Sequence, residues 1–149
     1  MAVNRRFIPD PPAAVFAVLR DGYSYQRWVV GTSQIRAVDA GWPSVGTRLH
    51  YRLGHGTASK ADETRVVRSR PDVLLELEAA GRPFGTVHIE FWLDAVHGGS
   101  LVTLIEHPNR GLAKALHNPA FDLAIWLRNV ETLRRLAAEV HRIVASSAE

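Results

Sequence analysis

The feature that most constrains this chain is its end: one long amphipathic segment, Pro119 to about Val144, follows a stretch from Gly31 to His107 that reads almost entirely as antiparallel strand. A lone helix that long needs an apolar surface to lie on, and the surface on offer is the concave face of a curved sheet. Such an arrangement tends to enclose a pocket. The pattern predicts an α+β fold with a curved antiparallel sheet of about seven strands wrapped around the terminal helix. Two short helices are expected after the first strand.

Turn residues divide the chain at regular intervals. Val3 to Ile8 reads as a first strand, and Asp10-Pro11-Pro12 then predicts a helix start, with an acceptor at the cap and proline at the first helical position. Val15, Val18 and Leu19 share one stripe of that helix, with Phe16 at its edge, and it stops near Asp21-Gly22. Tyr23 to Trp28 predicts a second short helical turn ended by Gly31. Strands follow at Ser33 to Ala40, Gly46 to Leu53, about Ala58 to Arg70, Val73 to Ala80, Phe84 to Leu93 and Ser100 to His107, with a short helical turn around Leu112 to Leu116. Asn118-Pro119 repeats the cap-then-proline start. The predicted buried stripe of the last helix is Leu123, Leu127, Val130, Leu133, Ala137, Val140 and Val144. No linker or internal repeat interrupts the chain, so residues 1–149 are expected to form one domain.

Alternation gives each late strand one core face. Val73, Leu75 and Leu77 alternate with Leu74, Glu76 and Glu78, and Val87, Ile89, Phe91 and Leu93 alternate with His88, Glu90 and Trp92. A turn centred on Arg82 would set Leu75 opposite Ile89 and Glu76 opposite His88. A turn at Gly98-Gly99 would set Leu93 opposite Leu104 and Phe91 opposite Glu106.

Composition removes several function classes. With 149 residues, 46% apolar and 22% charged, the chain can bury a core without covalent staples. It has no cysteine, which excludes disulfides, thiol catalysis and sulfur-ligated metal sites. It lacks both an apolar run long enough for a membrane span and the apolar core of a signal peptide, so a cytoplasmic location is expected. The net charge of +3 sets sixteen Arg and two Lys, Lys60 and Lys114, against fifteen acidic residues, and the basic residues are scattered over every element. Scattered charge predicts solvated faces and no nucleic-acid partner; Arg134 and Arg135 are placed to pair with Glu131 and Glu139 along the helix.

The stretches PPAAVFAVLRD (Pro11 to Asp21), YQRWVVG (Tyr25 to Gly31), Asp62-Glu63-Thr64, GGSLVT (Gly98 to Thr103) and RNVETLRRL (Arg128 to Leu136), with their spacing, span almost the whole chain. In these residues and in element order the chain resembles the helix-grip fold of the START and Bet v 1-like (SRPBCC) superfamily, and more narrowly its bacterial polyketide cyclase/dehydrase-like branch. The resemblance implies a cavity between sheet and terminal helix, open near the short helices and strand turns. It also implies a hydrophobic ligand such as a lipid or polyketide, bound without a cofactor, with cyclisation or dehydration in a minority of members. No catalytic residue carries over from it, since fold does not dictate chemistry.

Candidate site residues follow from the strand faces. Large side chains with a polar tip suit an apolar ligand carrying an oxygen, which points to Trp28 and Tyr51; Tyr23, Tyr25 and Trp42 lie in the same region, and core packing is the alternative for each. Trp42, beside Pro43, reads as a surface turn. Val66, Val87, Ile89, Phe91 and Leu104 should form the apolar wall, with Trp126 reaching in from the last helix. The parity of Val66 places Thr64 deepest on its strand, Asp62 inward with it, and Glu63 outside beside an Arg; the parity of Val67 is the alternative and would reverse them. Glu106 is the sharpest candidate: inward-facing and desolvated, it would favour the neutral acid, able to donate a hydrogen bond or move a proton. Together with Tyr51 it is the candidate for catalysis, should there be any; the alternative is that it reaches water at the rim.

The histidines show no HxH or HExxH spacing, and Glu106 and His107 point to opposite faces, so no metal site is expected. His88 reads as a residue of the convex face beside Glu76. Leu74, Trp92, Leu101 and Ile105 should face away from the helix, an apolar area that suggests either a homodimer contact or scattered exposure.

Overall fold

The alternation does fold as strand. The computed structural model of the protein describes residues 1–54, 56–80, 85–110 and 119–148. Its seven strands are β1 (Ala2–Ile8), β2 (Thr32–Val38), β3 (Arg48–Leu53), β4 (Lys60–Arg70), β5 (Leu74–Ala80), β6 (Thr86–Val96) and β7 (Gly99–Arg110). They form one antiparallel sheet in the order β1-β7-β6-β5-β4-β3-β2. Between β1 and β2 lie α1 (Pro12–Arg20), a single turn at Gly22–Ser24, and α2 (Tyr25–Trp28). The terminal helix α3 (Pro119–Ser147) lies along β1 and against both short helices. The α+β helix-grip architecture is therefore present. The expected turn at Arg82, the strand start at Phe84, the helical turn at Leu112 to Leu116 and the cap at Asn118 fall outside the described residues.

Three local expectations need correction. Helix α1 is capped one residue later than the sequence suggests: Pro11 holds the cap position without a side-chain hydrogen bond, and Pro12 opens the helix. Asp10 is instead used through its backbone, its carbonyl accepting from Ser100 Oγ at 2.6 Å. Both late hairpins have moved by two residues. Leu75 faces Phe91 and Leu77 faces Ile89, while Phe91 faces Leu104 and Ile89 faces Glu106. A two-residue slip keeps every side chain on its face, so the alternation that predicted the core could not detect it.

The third correction is the helix face. On α3 the buried residues are Asn129, Thr132, Leu133, Leu136, Glu139 and Val140, whereas Leu123, Leu127, Val130 and Val144 are exposed. The helix is turned by about one residue, ~100°, from the purely apolar stripe. Three of its six buried positions are polar, and each polar side chain faces something specific. Thr132 Oγ1 accepts from the Val30 amide at 3.3 Å, and Glu139 pairs with Arg27 at 2.9 Å and Arg142 at 2.7 Å. Asn129 faces a cavity.

The core fills one end of the space between sheet and helix. Ile8, Val15, Phe16 and Leu19 meet Leu75, Leu93 and Val102 of the sheet and Leu133, Leu136 and Val140 of α3. Gly99 is required where β7 begins, because a Cβ there would collide with the Ile8 carbonyl oxygen and lie 2.9 Å from Pro9 Cα. Trp42 also belongs to this core and not to a surface turn: it is buried, stands edge-on to Tyr25, and donates its indole N–H to the Leu19 carbonyl at 3.2 Å.

Candidate functional site

At the other end the same layers leave a cavity of about 240 Å³. It lies where β3 and β5 finish and β2 and β6 begin, under the third and fourth turns of α3, at Arg128, Asn129 and Thr132. Strand alternation supplies most of its wall. Leu49, Tyr51 and Leu53 come from one face of β3, Leu77 and Ala79 from β5, and Val87, Ile89 and Phe91 from β6. Leu104 and Glu106 come from β7, and Tyr25 and Trp28 of α2 close one side. Tyr25 and Trp28 are locked in place by their own polar tips, Tyr25 OH donating to the Leu19 carbonyl at 2.8 Å and Trp28 Nε1 to Ser24 Oγ at 3.0 Å. Fixed aromatic walls keep a hollow from collapsing.

The polar groups gather on two sides of this apolar wall. Tyr51 and Thr64 share a hydrogen bond of 2.8 Å across β3 and β4. Burial pushes the Tyr51 hydroxyl up to about 12, with the Thr64 hydrogen bond opposing the shift, so it stays a neutral phenol at any physiological pH. Opposite, Arg128 of α3 lies 3.5 Å from Glu106 and donates from Nε to the Val30 carbonyl at 3.2 Å. Glu106 does face the cavity, but as one half of an ion pair and not as a lone acid in an apolar wall. Beside Arg128, Asn129 is 1% exposed, and its Nδ2 has no hydrogen-bond partner among the described residues. An unmet buried amide donor costs about 1–3 kcal/mol, which sets Asn129 apart from the other polar residues of the lining.

Of the residues proposed from sequence, Trp28, Tyr51, Thr64, Val87, Ile89, Phe91, Leu104 and Glu106 are brought together around this cavity. Val66 is fully buried but sits farther along β4 in the solid core. Trp126 is 43% exposed and does not line the cavity, a consequence of the rotated helix face. Tyr23 is exposed, Asp62 is half-buried, and Glu63 lies outside within 3.9 Å of Arg48 and 3.7 Å of His50. Arg128, Asn129 and Thr132 line the cavity without having been foreseen. Their signal was present in the sequence as polar residues at i, i+1 and i+4 on one side of a helix, which an apolar-stripe reading discards.

The convex face differs from expectation as well. Leu74 is fully buried, and Trp92, Leu101 and Ile105 are half-buried, so these four residues do not form an open apolar face. Arg68 lies over the Trp92 ring at 5.8 Å, and Trp92 donates to Glu90 at 3.2 Å. His88 does pair with Glu76, at 2.8 Å, although across a diagonal, since its direct partner on β5 is Glu78. On its other side His88 faces His107, with ring centroids 4.9 Å apart. Among the described residues no helix is long and apolar enough to cross a membrane.

No family model matches the sequence, and no curated protein does either. Solved structures match closely in shape. Protein SA2116 from Staphylococcus aureus, of unknown function, superposes with a TM-score of 0.75 at 11% identity, covering 97% of this chain and 94% of its own. Ara h 8.0201 superposes with a TM-score of 0.71 at 14% identity, covering 94% and 96%. StfQ, a di-domain ARO/CYC from the steffimycin biosynthetic pathway, gives 0.68 at 9% identity; the match covers 96% of this chain and 51% of StfQ. At these identities the likeness establishes the Bet v 1-like helix-grip fold and nothing finer.

Proposed function

We propose that this chain binds a compact apolar molecule carrying an oxygen acceptor, such as a ketone or quinone, in the cavity between sheet and terminal helix. The observation that carries the reading is a wall of fixed apolar and aromatic side chains that includes Asn129, whose buried amide Nδ2 has no partner among the described residues. Burial of apolar surface supplies affinity at roughly 25 cal/mol per Å² before association costs, and the few polar groups set orientation. A cavity of about 240 Å³ lies below the usual ~300–1,000 Å³ of drug-sized pockets, which favours a fused-ring compound over a long acyl chain. Glu106 and Arg128 neutralise each other, so the wall asks for no charge on the ligand.

The test uses Trp28 as reporter, since it lines the cavity. Fused aromatic hydrocarbons and their ketone or quinone analogues should quench its fluorescence saturably, the oxygenated member binding about tenfold tighter, the equivalent of ~1.4 kcal/mol. Asn129→Leu should erase that difference. Absence of saturable binding by either member would end the proposal. Native mass spectrometry of protein from its source would identify the molecule it retains.

The second reading is an aromatase/cyclase or dehydrase acting on a poly-ketone in the same cavity. It is favoured by the buried Glu106 carboxylate, paired with the part-exposed Arg128 and facing the neutral Tyr51 phenol, groups able to move or hold a proton, and by the likeness to StfQ. Glu106→Gln separates the two: turnover lost with affinity retained supports the enzyme.

A further inference from the structure

On the far side of the sheet from the cavity, β6 and β7 bring together three metal-binding side chains. His88 and His107 are direct cross-strand partners, and because their neighbours Ile89 and Glu106 line the cavity, both imidazoles stand on the opposite face. Glu90, two residues along β6, shares that face. One nitrogen of each histidine and one carboxylate oxygen of Glu90 all lie within 4.8 Å of one another, and the three side chains are half-buried. Metal–ligand bonds of about 2.0–2.2 Å require such atoms to approach somewhat closer. Rotation of the three side chains on their strands is what the site would require to close on an ion.

A second set of contacts holds these groups from outside. Glu76 Oε1 lies 2.8 Å from His88 Nε2 while its other oxygen, Oε2, accepts from Arg68 Nε at 2.8 Å, and the Trp92 indole donates to Glu90 Oε1 at 3.2 Å. A carboxylate behind a histidine is the arrangement that fixes the tautomer and orientation of a metal-bound imidazole, here leaving Nδ1 of His88 for the ion. We propose that His88, His107 and Glu90 form a site for a divalent transition-metal ion of the zinc type, oriented by Glu76. Two imidazoles and one carboxylate select zinc, cobalt, nickel or copper over magnesium and calcium, which prefer all-oxygen shells. Three protein ligands leave a fourth position for water or an incoming group. The site is independent of the ligand proposed for the cavity, although Ile89 and Glu106 make the same two strands the wall of both.

The experiment is titration of chelator-treated protein with zinc by calorimetry and with cobalt by visible absorption. One ion per chain is expected, with the intense cobalt bands of a four-coordinate site. His88→Ala and His107→Ala should each weaken binding by more than the ~10–100-fold that loss of an outer-shell partner such as Glu76 costs. His50→Ala, at the separate His50–Asp39 pair, should leave binding unchanged. Circular dichroism and melting in chelator establish that the variants are folded, and His88→Gln replaces any alanine variant that is not. No saturable binding at micromolar zinc would overturn the proposal, and so would binding unaltered by loss of either histidine.

Discussion

The two ends of the space between sheet and helix are built from the same strands yet behave oppositely. Toward the β1–α1 end, Leu75, Leu93, Val102, Leu133, Leu136 and Val140 interlock with α1 and are buried almost completely. Toward the β3–β5 end, Ile89, Val87 and Leu53 remain half-buried around a hollow. The sheet supplies apolar side chains to both; what differs is what lies over them. A whole extra helix, α1, covers the first end, whereas the second has only the short α2 and the polar positions Arg128, Asn129 and Thr132 of α3. Packing stability is concentrated where the third layer is present, and the capacity to bind is left where it is missing.

That contrast can be broken by mutation. The largest expected loss is Leu136→Ala, which opens a void in the solid end and should cost ~2–5 kcal/mol in urea unfolding, against at most ~2 kcal/mol for Ile89→Ala, which only enlarges an existing hollow. Equal losses would mean that the hollow end carries as much of the stability as the packed one. Gly99→Ala comes next at about 1–3 kcal/mol, because the atoms its methyl would strike are backbone and cannot swing aside; an unchanged melting temperature would show the β1–β7 corner to be pliable.

A smaller effect concerns acid. Arg142 holds the Glu139 carboxyl below the usual carboxylate range through a side-chain hydrogen bond, against the opposing effect of burial and with further help from Arg27. A depressed folded value means the stabilisation is complete above the unfolded carboxyl range and is lost as pH falls through the folded one. Glu139→Gln should therefore lower stability at neutral pH and flatten the acid limb of a stability profile; parallel profiles would show the pair to be energetically silent. The smallest change in stability is expected for Asn129→Leu, within ~1 kcal/mol of wild type and of either sign, since removing an unpartnered buried amide relieves a desolvation cost. The same variant is the one that should alter ligand preference. A large loss of stability would instead mark Asn129 as part of the packing.

Which of these residues the sequence revealed depends on the kind of periodicity involved. Period-two alternation on β3, β5, β6 and β7 placed Tyr51, Ile89, Phe91, Leu104 and Glu106 inward, where the structure has them. The rule fails for partners: a pairing drawn two residues out left His88 facing beyond His107 and so concealed that the histidines meet. On α3 a stripe of apolar residues was sought, and Leu123, Leu127 and Trp126 drew the face toward solvent. Asn129, Thr132 and Glu139 were overlooked because each is polar and each is buried for a reason outside the helix: a cavity, the Val30 backbone, and Arg27.

What the sequence by itself determined is therefore local: the kinds and order of elements, the inner face of each strand, and the need of a long terminal helix for a curved sheet. Tertiary structure alone decided the strand partners, the rotation of α3, the buried place of Trp42, and the encounter of Glu106 with Arg128 and of His88 with His107. The physical reason is that side-chain alternation is an energy of face and repeats every two residues, so it is indifferent to slips of two. Turn geometry and the summed packing of helix on sheet remove that indifference, and they exist only once the chain has closed.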